Sequence, residues 1–242
     1  MILAAIGLML VLAVPQTVHS DTAHSTKAHS DKTHADTVHF DTEIMPLVTK
    51  AGCNSGACHG AAAGRGGFHL SLLGADPAAD YEAIVQTLEG RRINSANPER
   101  SLIYAKPAGQ LEHGGETVIE EGSLSAQRLL SWIRAGAPRG RQRKLTSFAV
   151  EPRRILCEQL PARVQIRVTA RFDDGPEEDV TAWTVLSPTD PAAVQIDELY
   201  RAQIVRRGQH VVIARFLDQV VPIQLNVPLS DSPVDLSGEA SK

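Results

Sequence analysis

Residues 52–60 read GCNSGACHG. Two of the three cysteines, Cys53 and Cys58, stand five positions apart, and His59 follows the second directly. Three chemistries fit this arrangement. Covalent haem attachment uses two thiols, which add to the two vinyl groups, and an adjacent histidine that ligates the iron from the proximal side. The usual motif has two residues between the cysteines. Here Asn54, Ser55, Gly56 and Ala57 intervene, so the spacer has to bulge, and Asn-Ser-Gly is small and turn-prone enough to do so. A local Cys53–Cys58 disulfide closes a small loop equally well and leaves His59 without a role. A zinc site would need Cys53, Cys58, His59 and a fourth ligand, with the adjacent Cys58 and His59 straining a tetrahedral geometry.

A haem iron usually takes a second axial ligand. Met1 and Met9 lie in an N-terminal apolar run, and Met45 precedes the cysteines, where a distal methionine does not sit. His113 lies in the loop before the last helical stretch, and Gly114 and Gly115 would let the backbone pass close to a porphyrin. It is the candidate sixth ligand. His69, in GFHLSLL, is its rival.

These residues need elements to hold them. FDTEIMPLVTKAG predicts a short amphipathic helix ending at Gly52, with Ile44, Leu47, Val48 and Ala51 on one face. Five glycines between Gly56 and Gly67 predict turns. DPAADYEAIVQTLEG predicts a second helix, with Asp76 as N-cap, Pro77 in its first turn and Gly90 as its stop. SLSAQRLLSWIRAGAP predicts a third, capped by Ser123, with Leu124, Leu129, Leu130 and Ile133 as its apolar face. RGRQRK then reads as a basic linker. Beyond it the period becomes two. FAVEP, RVQIRVTARF, EDVTAWTVLS, AAVQID, RAQIVRR, QHVVIARF and QVVPIQLNV predict about seven short strands, the pattern of a β-sandwich. Asp173, Asp174, Glu177, Glu178 and Asp179 cluster at one hairpin, a solvated turn or a Ca²⁺ site. Cys157 has no partner in its own domain and reads as a small buried apolar residue.

The N-terminus predicts export. ILAAIGLMLVLAVP is an apolar run too short to span a bilayer comfortably, and QTVHS places Val18 and Ser20 as small residues before a cleavage site. Residues 19–43 then repeat HSDTA, HSTKA, HSDKT, HADTV and HFDTE, carrying five of the nine histidines. So polar a segment predicts a disordered arm, either a tether or a metal-binding tail. Net charge is −4, which gives no electrostatic case for nucleic-acid binding. Aromatic residues make up only 4% of the chain, so a small helical domain would have a thin core that a haem could fill. No P-loop, nucleotide fingerprint or nucleophile–base pair appears, so a carrier is expected rather than an enzyme.

CNSGACHG, GFHLSLLG, the HGG of residues 113–115 and LLSWIRAGAP together resemble the planctomycete-type cytochrome c-like domain over residues 40–138. FAVEPRRILC, VTARFDDGPEEDVTAWTVLSP, AAVQID and GQHVVIARF resemble the bacterial Ig-like group 2 domain over residues 148–228. The resemblance implies a multidomain fold, a small all-α cytochrome c-like domain plus an all-β Ig-like sandwich. It further implies covalent haem c on Cys53, Cys58 and His59, electron transfer to a redox partner protein, and a module that positions or adheres. The resulting plan is a signal peptide over 1–20, an arm over 21–39, a haem domain over 40–138, a linker over 139–147, a sandwich over 148–228 and a disordered tail over 229–242. The expected location is the periplasm or cell exterior, with no membrane span after signal cleavage and a possible cell-surface or carbohydrate contact through the sandwich. Ending where it does, the chain reads as a stand-alone carrier or a shortened relative of larger proteins. The rival functions are a haem-free binding scaffold with a Cys53–Cys58 disulfide, and a metal-binding protein led by the histidine arm.

Overall fold

The computed structural model describes residues 38–231, which lie within one compact unit. The signal peptide, most of the histidine arm and the last part of the tail fall outside the described residues. Val38 is buried, and the His39 ring hydrogen-bonds the Arg141 carbonyl through Nδ1 at 3.1 Å.

Residues 40–138 are built from turns and short helices. A π-helical turn, Phe40–Ile44, runs into α1, Met45–Lys50. Helix α2, Pro77–Tyr81, is capped by Asp76, whose side chain accepts from the Ala79 amide, and continues as the π-helical turn Glu82–Gln86. Helix α3 is Leu102–Ala105, and α4 is Leu124–Arg134, capped by Ser123. The expected small all-α cytochrome c-like domain is therefore not what forms: the helices are few and short, and most of the described chain is strand or loop. The reason lies in the chain's punctuation. Pro77 and Pro98 open short helical runs, and Gly52, Gly64, Gly66, Gly67, Gly90 and Gly109, all at positive φ, lie outside them in the turns between. The core is assembled from these short pieces. Phe40, Ile44, Leu47, Leu70, Ile84, Tyr104, Leu129, Trp132 and Ile133 are buried together. Trp132 donates its indole N–H to the Pro138 carbonyl at 2.8 Å and meets Phe40 at 5.5 Å between ring centres.

From residue 145 the chain is strand: β1 Leu145–Glu151, β2 Arg154–Leu156, β3 Ala162–Gln165, β4 Arg167–Phe172, β5 Glu177–Asp179, β6 Val185–Pro188, β7 Val194–Ile196, β8 Arg201–Ile204, β9 Gly208–Phe216 and β10 Gln219–Val227. They form three sheets, ordered β1-β4-β5, β2-β10-β9-β6 and β3-β8-β7, around one apolar core. All pairs are antiparallel except β2 with β10. The single predicted strand RVQIRVTARF breaks at the buried Ile166, so β3 joins one sheet and β4 another. Three sheets thus stand where a seven-stranded sandwich was expected, though an Ig-like arrangement is compatible with this region.

The two apolar cores meet at Trp183, which packs against both. Lys50, at the end of α1, donates to the Ala182 carbonyl at 2.8 Å and lies 4.4 Å from the centre of the Tyr200 ring. The predicted linker is fastened too. Arg139 pairs with Asp41, Arg141 with Asp173 and Asp174, and Arg143 with Asp174 and Glu178. The acidic hairpin is thus the counterpart of the linker's arginines. Among the described residues, no group of three or more His, Cys, Asp or Glu side chains is placed to hold a metal ion. No helix among them is long and apolar enough to cross a membrane.

Candidate functional site

The cysteine loop grows out of α1. The Cys53 amide donates to the Val48 carbonyl at 3.1 Å, closing the helix, and Gly52 turns the chain at φ +77°. The four-residue spacer then bulges and returns: the His59 amide donates to the Cys53 carbonyl at 2.9 Å. The Cys58 amide donates to the Ser55 carbonyl at 3.0 Å inside the bulge. Gly60 is required there, because a Cβ at that position would stand 2.1 Å from the Asn54 carbonyl oxygen. Asn54 anchors the loop from below. It is fully buried, and its side-chain amide donates to Thr49 Oγ1 at 2.8 Å, which in turn donates to the Met45 carbonyl.

Cys53 and Cys58 are free thiols. Both are half-buried, and Cys53 packs against the helical core. Burial, and after it the neighbouring charge of Cys58, push the Cys53 thiol up to about 11. It is therefore protonated and slow to react at neutral pH.

His59 is held from one side. Its Nδ1 bonds the Phe68 carbonyl at 3.0 Å, and its ring lies 4.7 Å from the Phe68 ring centre. Metal-ligating histidines characteristically engage a carbonyl through the second ring nitrogen in this way. Phe68 is placed by the turn Gly64–Gly67, across which Arg65 and Phe68 pair as an isolated bridge. Burial pushes the His59 imidazole below its ordinary value, and the adjacent His113 pushes in the same direction. The ring is thus neutral at pH 7, the form that ligates metals.

His113 arrives from a loop far along the chain. Its ring centre stands 5.9 Å from that of His59, with the planes 23° apart. Its Nδ1 is buried without a hydrogen-bond partner, beside Gly115. A buried polar atom left so costs about 1–3 kcal/mol and calls for an explanation. His69 does not join the pair; it is exposed, on the side of Asp80. Met45 is buried in the helical core beside Gly74.

The four sequence-predicted residues Cys53, Cys58, His59 and His113 thus gather at one place. Sequence reasoning missed the Phe68 carbonyl, the Asn54 anchor and Arg92, whose guanidinium lies 4.4 Å from the centre of the Phe68 ring. The GRGGF turn was the one available signal for the first.

No family model and no curated protein matches the chain. Among solved structures, it is similar to domains 5 and 6 of the S-layer protein SbsC, with 13% identity and a TM-score of 0.30, covering 39% of this chain and 48% of that one. The chain thus spans about half the length of the structure it matches, and so loose a likeness says nothing about the site.

Proposed function

We propose that the protein is an exported c-type haem-binding protein acting in electron transfer. The observation that supports this most is the His59–His113 pair, two rings 54 positions apart in sequence brought to 5.9 Å between centres. The residues fit the group on three counts. Both thiols are free, the Phe68 carbonyl fixes the His59 ring, and His113 has a buried nitrogen without a partner. Two imidazoles on either side of one metal ion, each about 2 Å from it, have ring centres about 6 Å apart.

In this reading Cys53 and Cys58 would hold the macrocycle through thioethers, and His59 and His113 would ligate the iron. Haem, when bound, supplies a one-electron iron couple. The Phe68 carbonyl fixes the orientation of His59, and the Gly52–Gly60 loop sets the spacing of the two sulfurs. Turns, rather than a helical bundle, carry these groups. The strand region would then position the haem unit or contact a surface, and a periplasmic or extracellular location goes with covalent attachment.

The test is a denaturing gel stained for haem peroxidase activity, on protein exported from cells with c-type maturation machinery. Haem that stays with the denatured band supports the reading. A band without haem, two hydrogens below the reduced mass, means that GCNSGACHG closes as a disulfide and that the strand region is where function lies.

A further inference from the structure

Outside the cysteine loop, hydrogen-bonding side chains converge on the outward face of the sheet ordered β2-β10-β9-β6. Alternation places them. Ile223, Leu225 and Val227 turn into the core, so Gln224 and Asn226 lie on the other face of β10. Val212 and Ala214 do the same for β9 and leave Gln209 and Val211 outward. Asn226 stands opposite Gln209, Gln224 opposite Val211, and Arg154 of β2 beside Gln224. With His210 these residues line a groove of about 430 Å³, a size usual for ligand sites. It runs from β2 across β10 to β9, about 10 Å at the ordinary strand spacing.

The polar groups of this groove are only partly used. Arg154 Nε donates to Gln224 Oε1 at 2.7 Å, and the His210 ring engages the Arg206 carbonyl through Nε2 at 2.9 Å. The side-chain amides of Gln209 and Asn226 have no hydrogen-bond partner among the described residues. Arg139, Arg141, Arg143, Arg201 and Arg207 are each held by a carboxylate. Among the described residues none pairs with Arg154, and no carboxylate lines the groove. An amide side chain presents a donor and an acceptor side by side, as adjacent sugar hydroxyls do. The terminal nitrogens of a guanidinium grip a carboxylate. A peptide strand is served less well here. Both edges of β9 and β10 are already paired, and only the three-residue β2 keeps an open edge.

We propose that this groove binds an acidic polysaccharide, a chain of sugars that carry carboxylates. Arg154 takes a uronate carboxylate, Gln209, Gln224 and Asn226 take ring hydroxyls, and the C–H face of a sugar rests on Val211. The inference stands apart from the haem reading and gives the strand region a ligand of its own.

The experiment is titration calorimetry on the full-length protein. The probes are hexamers of galacturonate, mannuronate and guluronate, the methyl ester of each, and hexaglutamate. At least one uronate hexamer is expected to bind. Esterifying its carboxylates is expected to weaken that binding about tenfold, and Arg154→Gln by the same factor, the worth of one hydrogen bond to a charged group. Gln209→Ala and Asn226→Ala are expected to weaken it several-fold. Arg163→Gln, which alters an exposed arginine on β3 of another sheet, is expected to change nothing. Thermal unfolding checks that each variant is folded, and the exposed Gln209 supplies the reading should Arg154→Gln fail to fold. If none of the uronate hexamers binds, the proposal falls. It falls too if Arg154→Gln and Gln209→Ala bind as the wild type does, or if Arg163→Gln weakens binding as much as they do. Hexaglutamate bound as tightly as the best uronate would overturn the glycan assignment in favour of an acidic peptide.

Discussion

Replacing Arg143 by methionine removes the centre of a charged knot that joins residues 139–144 to the β4–β5 hairpin. The Arg143 side chain is 6% exposed. Its Nε donates to both oxygens of Asp174, at 2.9 and 3.0 Å, its Nη2 to Glu178, and its guanidinium carbon lies 4.0 Å from the centre of the Phe172 ring. Removing one partner of a buried ion pair costs about 3–5 kcal/mol, because the other charge is left stranded. Asp174 would keep Arg141 at 3.3 Å, and Glu178 is open enough to rehydrate, which brings the cost down. Methionine still covers Phe172 but forfeits its cation–π attraction of about 0.5–1 kcal/mol. The expected loss is about 3 kcal/mol at pH 7. Burial alone would push the Asp174 carboxyl up; the hydrogen bonds and charge of Arg143, with the charge of Arg141, outweigh it and hold the group below the usual carboxylate range. A depressed carboxyl lends its stability above its unfolded value and loses it as pH falls through the folded one. The penalty for Arg143→Met should therefore hold at neutral pH and shrink as pH falls through the ordinary aspartate value of 3.8 and toward the lower folded one. Urea unfolding, read from Trp132 and Trp183 fluorescence at several pH values, measures both. A loss below about 1 kcal/mol at pH 7, or a penalty that does not change with pH, would refute this account.

Three further outcomes are expected. His113→Ala should leave covalent haem in place and convert a low-spin absorption spectrum to high spin; an unchanged spectrum removes His113 as the distal ligand. In the folded haem-free chain, iodoacetamide at pH 8 should modify Cys58 before Cys53, whose thiol is pushed up to about 11, with the order read by peptide mass spectrometry; equal rates would show that Cys53 is not shielded. Burial pushes Lys50 down to about 8, so its folded form releases a proton that the unfolded chain still holds. Stability should rise with pH between about 8 and the ordinary lysine range, by on the order of 2 kcal/mol, the Ala182 carbonyl and Tyr200 ring already favouring the charged form. Lys50→Met should abolish that rise, and urea midpoints from pH 7 to 10.5 would show it. A rise that persists in the variant places its origin elsewhere.

Much of the candidate site is legible in the sequence. Cysteine spacing and the adjacent histidine declare themselves over a few residues, and Gly114 and Gly115 mark His113. Caps were equally local, as Asp76 and Ser123 show. What stayed hidden was long-range. Helical periodicity over residues 40–50 and 76–90 marked runs that do form, over 40–50 and 77–86, but carried no sign that turns would fill most of the chain between them. The alternation in RVQIRVTARF is unbroken, yet Ile166 hands the chain from one sheet to another, and a period of two carries no sign of that. The pairing of Arg139, Arg141 and Arg143 with acids at Asp41 and in the β4–β5 hairpin links positions up to 98 apart. No local pattern announces it.

That fastened segment has a consequence for how the protein withstands proteolysis. RGRQRK offers four cleavage points within six residues to a trypsin-like protease, in a stretch that as a bare tether would be the first place cut. Here the ends of its backbone are bonded, Phe40 N–H to the Arg139 carbonyl at 2.9 Å and Lys144 N–H to Asp173 at 3.0 Å, and its three arginine heads are occupied. A protease needs about ten residues of extended chain in its cleft. It cannot take them here without first freeing the hairpin, so the rate of digestion at these sites reports how often the junction between the two cores opens.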